Sequence, residues 1–444
     1  MYCYTAIVGD TIKRCKQMNG GYRVKLLKLM SGERFPLLLD GRGRPLFEPT
    51  VYALTELRSR NQATNTISSN LRSIQVFYLF LGLRGIDLST RLSSGQLLSL
   101  GEVEDLTRLC RLPVEKLDTM LNDLAVSGSR SKAVSLEKAR MRLQVDDQKE
   151  VEPAFAGTRM HYIRGYIEWL VSDRLAKHGL DKQVSDNLVS SLKRVLSAIT
   201  ARIPKGKQHG ALNQREGLAP ELVVELLRVV LPQSLDNPWQ GEYARQRNAL
   251  IVHWLYYLGL RRGELLGVKV SDVDFRKGTV TIHRRADDAN DPRTNQPQSK
   301  TRAREIPLDD GLKSLTYNYV MNYRSSLIGA KKHEFLFCAD LTGQPMSLPT
   351  LNKVFKVLRD KSPTLPDSLC PHVMRHTWND RFSEEMDKRK TSEESEKKMR
   401  SYLMGWSETS GTAATYTRRH VRKKAQEVSL KMQGEIKGED QGNG

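Results

Sequence analysis

Four short stretches carry side chains whose types and spacing could act on a charged oxygen centre. In Gly259-Leu-Arg-Arg-Gly-Glu-Leu-Leu266, Arg261 and Glu264 stand three apart. Residues three apart share a helix face, so Glu264 could hold and aim the Arg261 guanidinium. Such pairs also commonly decorate a surface. In Ser299-Lys-Thr-Arg302, Lys300 precedes a strand, where a lysine at a hairpin tip reaches into a groove or stays solvated. In Pro371-His-Val-Met-Arg-His-Thr377, His372 and Arg375 share a face at a helix start and can both address one phosphate, with His376 beside them. A lone histidine is more often structural; three cationic candidates so close together are harder to dismiss. The fourth stretch is Leu403-Met-Gly-Trp406, followed by Ala414-Thr-Tyr416-Thr-Arg-Arg419. A tyrosine on a helix is usually core or interface. The polar, basic setting here predicts an exposed phenol.

Composition narrows the partner. Lys and Arg number 71 against 51 Asp and Glu, a net charge of +20. That surplus favours a polyanion, because each neutralised phosphate releases condensed counterions. Nucleic acid leads; a solvated basic surface is the bland reading. Five cysteines (Cys3, Cys15, Cys110, Cys338 and Cys370) are scattered, with no CxxC pair. An odd, dispersed set points to a reducing, intracellular compartment rather than a disulfide framework or a zinc site. The start lacks a signal-peptide pattern and no run of 18 apolar residues occurs, so neither secretion nor a membrane partner is expected. There is no G-x-x-x-x-G-K-[ST] loop for a nucleotide and no carboxylate cluster for paired metals, so no cofactor is expected.

The elements that must position these groups divide the 444 residues into two or three domains. Residues 1–48 form an extension of unclear role, with strands expected over Tyr22–Met30 and Phe35–Leu39; Pro36 confines the second to an edge or a strand start. This extension is a small DNA-contacting appendage or a packing segment. From 49 to 203 the text is helical. Ile67, Leu71, Ile74, Tyr78 and Leu81 predict one amphipathic helix, ended by Gly82 and Gly85. Met160, Ile163, Ile167 and Leu170 mark a second, and Val184, Leu188, Leu192, Val195 and Ile199 a third. Ser127 to Pro153 reads as a polar loop. Residues 204–217, with Pro, Gly and basic residues, read as a linker.

From 218 to 428 the pattern mixes helix and strand. Helices are expected at Pro220–Val230 and Arg247–Leu258, strands at Thr279–Ile282 and Arg304–Leu308, and a polar loop at Ala286–Ser299. Helices resume from Leu348. Thr391 to Glu394 resembles a capping box before a helix with Met399, Tyr402 and Leu403 on one face. Residues 429–444 are a polar tail.

The four stretches, in this order, resemble the catalytic boxes of the tyrosine recombinase, or phage lambda integrase-like, family. Gly-Leu-Arg-x-x-Glu-Leu is similar to its first arginine box, Lys300 to its β-hairpin lysine, His-x-x-Arg-His to its second arginine box, and Leu-x-Gly-Trp with the later tyrosine to its closing signature. The match covers roughly 218–428; 49–203 is only weakly similar to the family's helical core-binding domain. The resemblance implies a multidomain chain, a mostly α N-terminal DNA-clamping domain and an α+β catalytic domain with a small antiparallel sheet, closing as a C on duplex DNA. Arg261, Lys300, His372, Arg375, Trp406 and Tyr416 would be catalytic, with Glu264 and His376 supporting. Trp406 stands where most members have histidine, which replaces a titratable group by an indole N–H donor.

The implied activity is site-specific cleavage and rejoining of DNA through a 3′-phosphotyrosyl link at Tyr416, for integration or excision of a mobile element. Arginine forks match the non-bridging oxygens of a phosphodiester and can stand in for metal ions. A phenol with an ordinary pKa of about 10 needs nearby cations to attack, and Lys300 would protonate the departing 5′-oxygen. The resemblance also implies a tetramer on double-stranded DNA, accessory DNA-bending or directionality factors, and a cytoplasmic protein of bacterial or phage origin. The hydrophobic positions Val428, Leu430 and Met432 would pack on a neighbouring copy or on their own domain. A type IB topoisomerase-like relaxase and a catalytically silent DNA-binding protein are the rival readings.

Overall fold

The computed structural model describes residues 21–127, 150–176, 180–204, 216–285, 287–298 and 301–407, together with Ala413, Tyr416, Lys424, Ala425, Val428 and Ser429. Lys300, Leu430 and Met432 and most of the 204–217 linker lie outside the described residues. The chain divides into two compact units, one of residues 1–29 and 34–209, the other of 30–33 and 210–444. No described helix is long and apolar enough to cross a membrane.

The first unit is helical with one small hairpin. Strands β1 (Arg23–Lys28) and β2 (Arg34–Leu39) pair antiparallel, Leu26 opposite Pro36. In a two-stranded sheet both strands are edges, so the missing N–H of Pro36 does no harm. Phe35 and Leu38 join the same core as the helices, so the hairpin is packed into this unit. The helices run α1 (Phe47–Tyr52), α2 (Thr64–Arg84), α3 (Leu88–Ser93), α4 (Leu100–Leu109), α5 (Val114–Ser127), α6 (Pro153–Ala176) and α7 (Lys182–Arg202). Ile67, Leu71 and Ile74 of α2 are fully buried, as helical spacing requires. Gly82 does not end α2. It continues the helix, and Gly85 stops it one turn later in the left-handed conformation (φ 61°).

The second unit holds the four boxes. Helices α8 (Pro220–Val229) and α9 (Glu242–Leu258) are followed by α10 (Arg262–Gly267) and by a three-stranded antiparallel sheet of β3 (Val273–Asp274), β4 (Thr279–Ile282) and β5 (Arg304–Pro307), in that order. Val280 pairs with Ile306 and Ile282 with Arg304. Then come α11 (Asp310–Asn318), α12 (Leu348–Lys361), α13 (Pro371–Lys388) and α14 (Glu393–Met404). Helices therefore resume at Asp310, well before Leu348: the Asp309 carboxylate accepts from the backbone N–H of Leu312 and caps α11. Trp254 at the centre of α9 packs edge-on to Phe337 and is fully buried.

Helix α14 differs most from its expectation. Its cap is Ser392, which accepts from the backbone N–H of Ser395, so Thr391 and Glu394 form no box. Its buried face carries Glu396, Arg400, Ser401 and Met404, while Met399 and Tyr402 face outward. A charged stripe can be buried here because Glu396 and Arg400, one turn apart, neutralise each other.

Candidate active site

Helix termini build the site. Arg261 sits at the N-cap of α10 rather than inside it, in extended backbone (φ −74°, ψ 154°). Glu264, one turn on, accepts from the backbone N–H of Arg261 at 3.0 Å and from its guanidinium at 3.2 Å. The expected pairing is thus a cap rather than a shared helix face. It leaves the Arg261 side chain 36% exposed while its base is fixed.

Glu264 has no exposed side-chain surface and gathers further partners. Arg304, from the start of β5, donates to it at 2.9 Å and Thr301 at 2.6 Å, and Arg375 lies at 3.8 Å. Burial alone would raise this carboxyl. The cations of Arg304 and Arg375 and the two hydrogen bonds outweigh that and hold it at about 2. Arg304 is therefore a buried buttress, with its Nε donating to the carbonyl of Leu403 at 2.6 Å.

Arg375 enters from α13, whose first turn is set by Pro371 at N1. Its fork donates to the carbonyl of Gly259, just past α9, at 2.6 Å and to that of Met404, the last residue of α14, at 3.4 Å. Carbonyls at helix ends lack intrahelical donors and carry partial negative charge, so they suit a buried cation. Burial, reinforced by Arg261, pushes this guanidinium down to about 9 against the pull of Glu264 and Tyr416; it stays charged at neutral pH. Gly259 and Gly405 are both left-handed (φ 60° and 65°). A Cβ on Gly405 would lie 2.7 Å from Arg304 Nη1 and 2.9 Å from Thr301 Cβ, which explains glycine in the Leu-x-Gly box.

Trp406 follows that turn. Its ring lies 5.3 Å from the Arg375 guanidinium and stacks on Tyr416 with centroids 5.6 Å apart and planes 13° from parallel. The indole N–H is buried and has no acceptor among the described residues. Tyr416 is only 9% exposed, which corrects the expectation of an exposed phenol. Stacking on Trp406 and the approach of the His376 ring to 5.5 Å account for its burial. Burial raises the phenol above its ordinary value, while Arg375, Arg261 and Arg400 pull it back. His372 is exposed, with its ring edge-on to His376 at 4.4 Å.

The structure thus brings Arg261, Glu264, Arg375, His376, Trp406 and Tyr416 together, with His372 at the rim and Lys300 outside the described residues. The sequence reading missed Thr301 and Arg400 and took Arg304 only as the start of a strand. The i,i+4 spacing of Glu396 and Arg400 was the available signal for Arg400; Thr301 gives none.

Residues 231–423 match the family model described as the phage integrase family. In these residues the chain resembles that family. Among the chain's relatives, tyrosine recombinase XerD of Proteus mirabilis is 24% identical over 191 residues, covering 43% of the chain and 56% of that protein. Tyrosine recombinase XerD of Halalkalibacterium halodurans is 25% identical over 144 residues, 32% of the chain and 43% of that protein. The chain spans about half the length of the curated relatives it matches. Among solved structures, XerH site-specific recombinase in a post-cleavage complex with a palindromic difH substrate aligns with a TM-score of 0.39 at 15% identity, covering 82% of the chain and 96% of that chain.

Proposed function

We propose that this chain is a site-specific DNA recombinase, or integrase, that cleaves and rejoins DNA strands through a 3′-phosphotyrosyl intermediate at Tyr416 and serves integration or excision of a mobile element. The observation that carries this reading is the convergence of Arg261, Arg375 and Trp406 on one tyrosine, supported by the match of residues 231–423 to the phage integrase family model. The net charge of +20 supports double-stranded DNA as the partner.

Each group has a role that its setting suits. Arg261 is fixed at its base and open at its tip, ready to fork onto non-bridging phosphate oxygens. Arg375 supplies buried charge, and the indole N–H of Trp406, without an acceptor among the described residues, supplies a neutral donor where the transition state gathers charge. His372, at the exposed rim, adds a further donor. Tyr416 gives its phenolic proton to water; its oxygen then bonds to phosphorus as the bond to the 5′-oxygen breaks, and Lys300 gives its proton to the leaving oxygen. A 5′-hydroxyl from a partner strand then attacks the phosphotyrosine and frees Tyr416. Exchange between two duplexes needs several copies, so a tetramer on DNA, assisted by accessory DNA-bending or directionality factors, completes the reading.

Covalent capture tests it. Wild type and Tyr416→Phe are mixed with nicked duplexes drawn from DNA flanking the gene and run on denaturing gels. A protein–DNA band in wild type alone is expected. A band that survives Tyr416→Phe would put the nucleophile elsewhere.

A further inference from the structure

Arg400 belongs to none of the four boxes, yet it is fully buried and lies 6.0 Å from the centroid of the Tyr416 ring. A buried guanidinium is costly unless it is held, and this one is. It pairs with Glu396 and donates to Ser383 Oγ, and it reaches the backbone carbonyl and side-chain oxygen of Asn379 at 3.2 and 3.3 Å. Its other face covers the Phe382 ring at 5.0 Å. Its Nε has no acceptor among the described residues. The partners come from α13 and α14, the two helices that also deliver Arg375 and the Gly405–Trp406 turn.

We propose that Arg400 is a positioning residue for Tyr416, a fixed buried cation that seats the ring of the nucleophile and favours its charged form. This rests on the reading of Tyr416 as nucleophile and goes beyond the family's boxes. Among the described residues, the charged and titratable groups facing Tyr416 include Arg375 and His376 from α13, Arg261 from the cap of α10 and Arg400 from α14. Arg261 and Arg375 are placed to serve the phosphate, and a bound phosphodiester offsets their charge. Arg400, sealed behind the ring with its own carboxylate, keeps its influence when DNA is bound.

The test titrates Tyr416 itself, through tyrosinate absorbance of the full chain minus that of its Tyr416→Phe version, which isolates one phenol among 15 tyrosines. Glu396→Gln removes the counter-charge and keeps Arg400, so the Tyr416 midpoint should fall below wild type. Arg400→Met with Glu396→Gln removes both without stranding a buried carboxylate; its midpoint should rise by about one pH unit over Glu396→Gln alone. Arg400→Lys should stay near wild type. Equal midpoints in Glu396→Gln and the double variant overturn the proposal. If the double variant does not fold, Glu396→Gln decides: a midpoint at or above wild type overturns it. Covalent capture with a nicked duplex runs alongside. Shifted midpoints without any wild-type adduct uphold Arg400 and remove the recombinase reading, whereas equal midpoints with an adduct remove Arg400 alone.

Discussion

Glu264 accepts hydrogen bonds from both ends of Arg261: its Oε2 lies 3.0 Å from the backbone nitrogen and its Oε1 lies 3.2 Å from the guanidinium. The same carboxylate takes Arg304 and Thr301. One anion thus compensates two buried arginines while aiming a third, partly exposed one.

Glu264→Ala should therefore destabilise the chain by about 3–5 kcal/mol, because Arg304 and Arg375 lose their buried counter-charge. Urea unfolding measures it. The sign with pH follows from the depressed carboxyl. Its folded value of about 2 lies below the unfolded value of about 4.3, so its stabilisation is present above the latter and is lost as pH falls through the former. The gap between wild type and Glu264→Gln should shrink from about pH 5 to about pH 2. An unchanged gap in acid would mean that the carboxylate is not held in its charged form.

Trp406→Phe keeps a ring against Tyr416 and Arg375 but deletes the indole N–H. A single donor to a developing oxyanion is worth about 10²–10³ in rate, so single-turnover cleavage should drop by that order while DNA binding stays near wild type. Trp406→His, which restores a donor, should recover most of the loss. If Phe and Trp cleave alike, the N–H does not face the phosphate.

Gly405→Ala meets two penalties. Left-handed backbone costs a non-glycine residue about 1–2 kcal/mol. The new methyl would also press on Arg304 Nη1 and Thr301, which overpacks the site by about 1–3 kcal/mol. Because Arg304 also bonds Glu264, cleavage should fall along with thermal stability. Stability lost with full cleavage retained would show that the turn absorbs the methyl by moving away from Arg304.

Several helices and strands β1, β2, β4 and β5 could be read from the sequence, since α2, α7, α9 and β4 bury what their periodicity says they should, whereas the short strand β3 was not foreseen. The α14 helix could not. Its apolar residues Met399 and Tyr402 lie outward, because the buried face is held by Glu396–Arg400 pairing, a term that hydrophobic patterning does not contain. The Tyr416 phenol misled for a related reason. Local basic sequence suggests exposure, but its burial is set by Trp406 and His376, which come from other turns of the chain. Arg261, Arg375 and Glu264 were recognisable as residues. Their assembly around helix-end carbonyls is a tertiary fact that no local spacing encodes.

The rate of adduct formation should climb with pH. Burial holds the Tyr416 phenol above its ordinary value of about 10, so at neutral pH the reactive phenolate is a small fraction. That fraction grows tenfold per pH unit below the midpoint, and a rate proportional to it climbs with the same slope. The rise should end where the group that protonates the leaving oxygen, Lys300 in the proposed reading, loses its proton. Lys300→Ala should lower the rate by about 10²–10⁴-fold and abolish that descending limb. Single-turnover rates on a nicked duplex across the neutral and alkaline range measure both limbs. A profile flat through neutrality would show that the phenolic proton leaves during attack to a neighbouring base. His376, whose ring approaches Tyr416 most directly, would then be the first residue to replace.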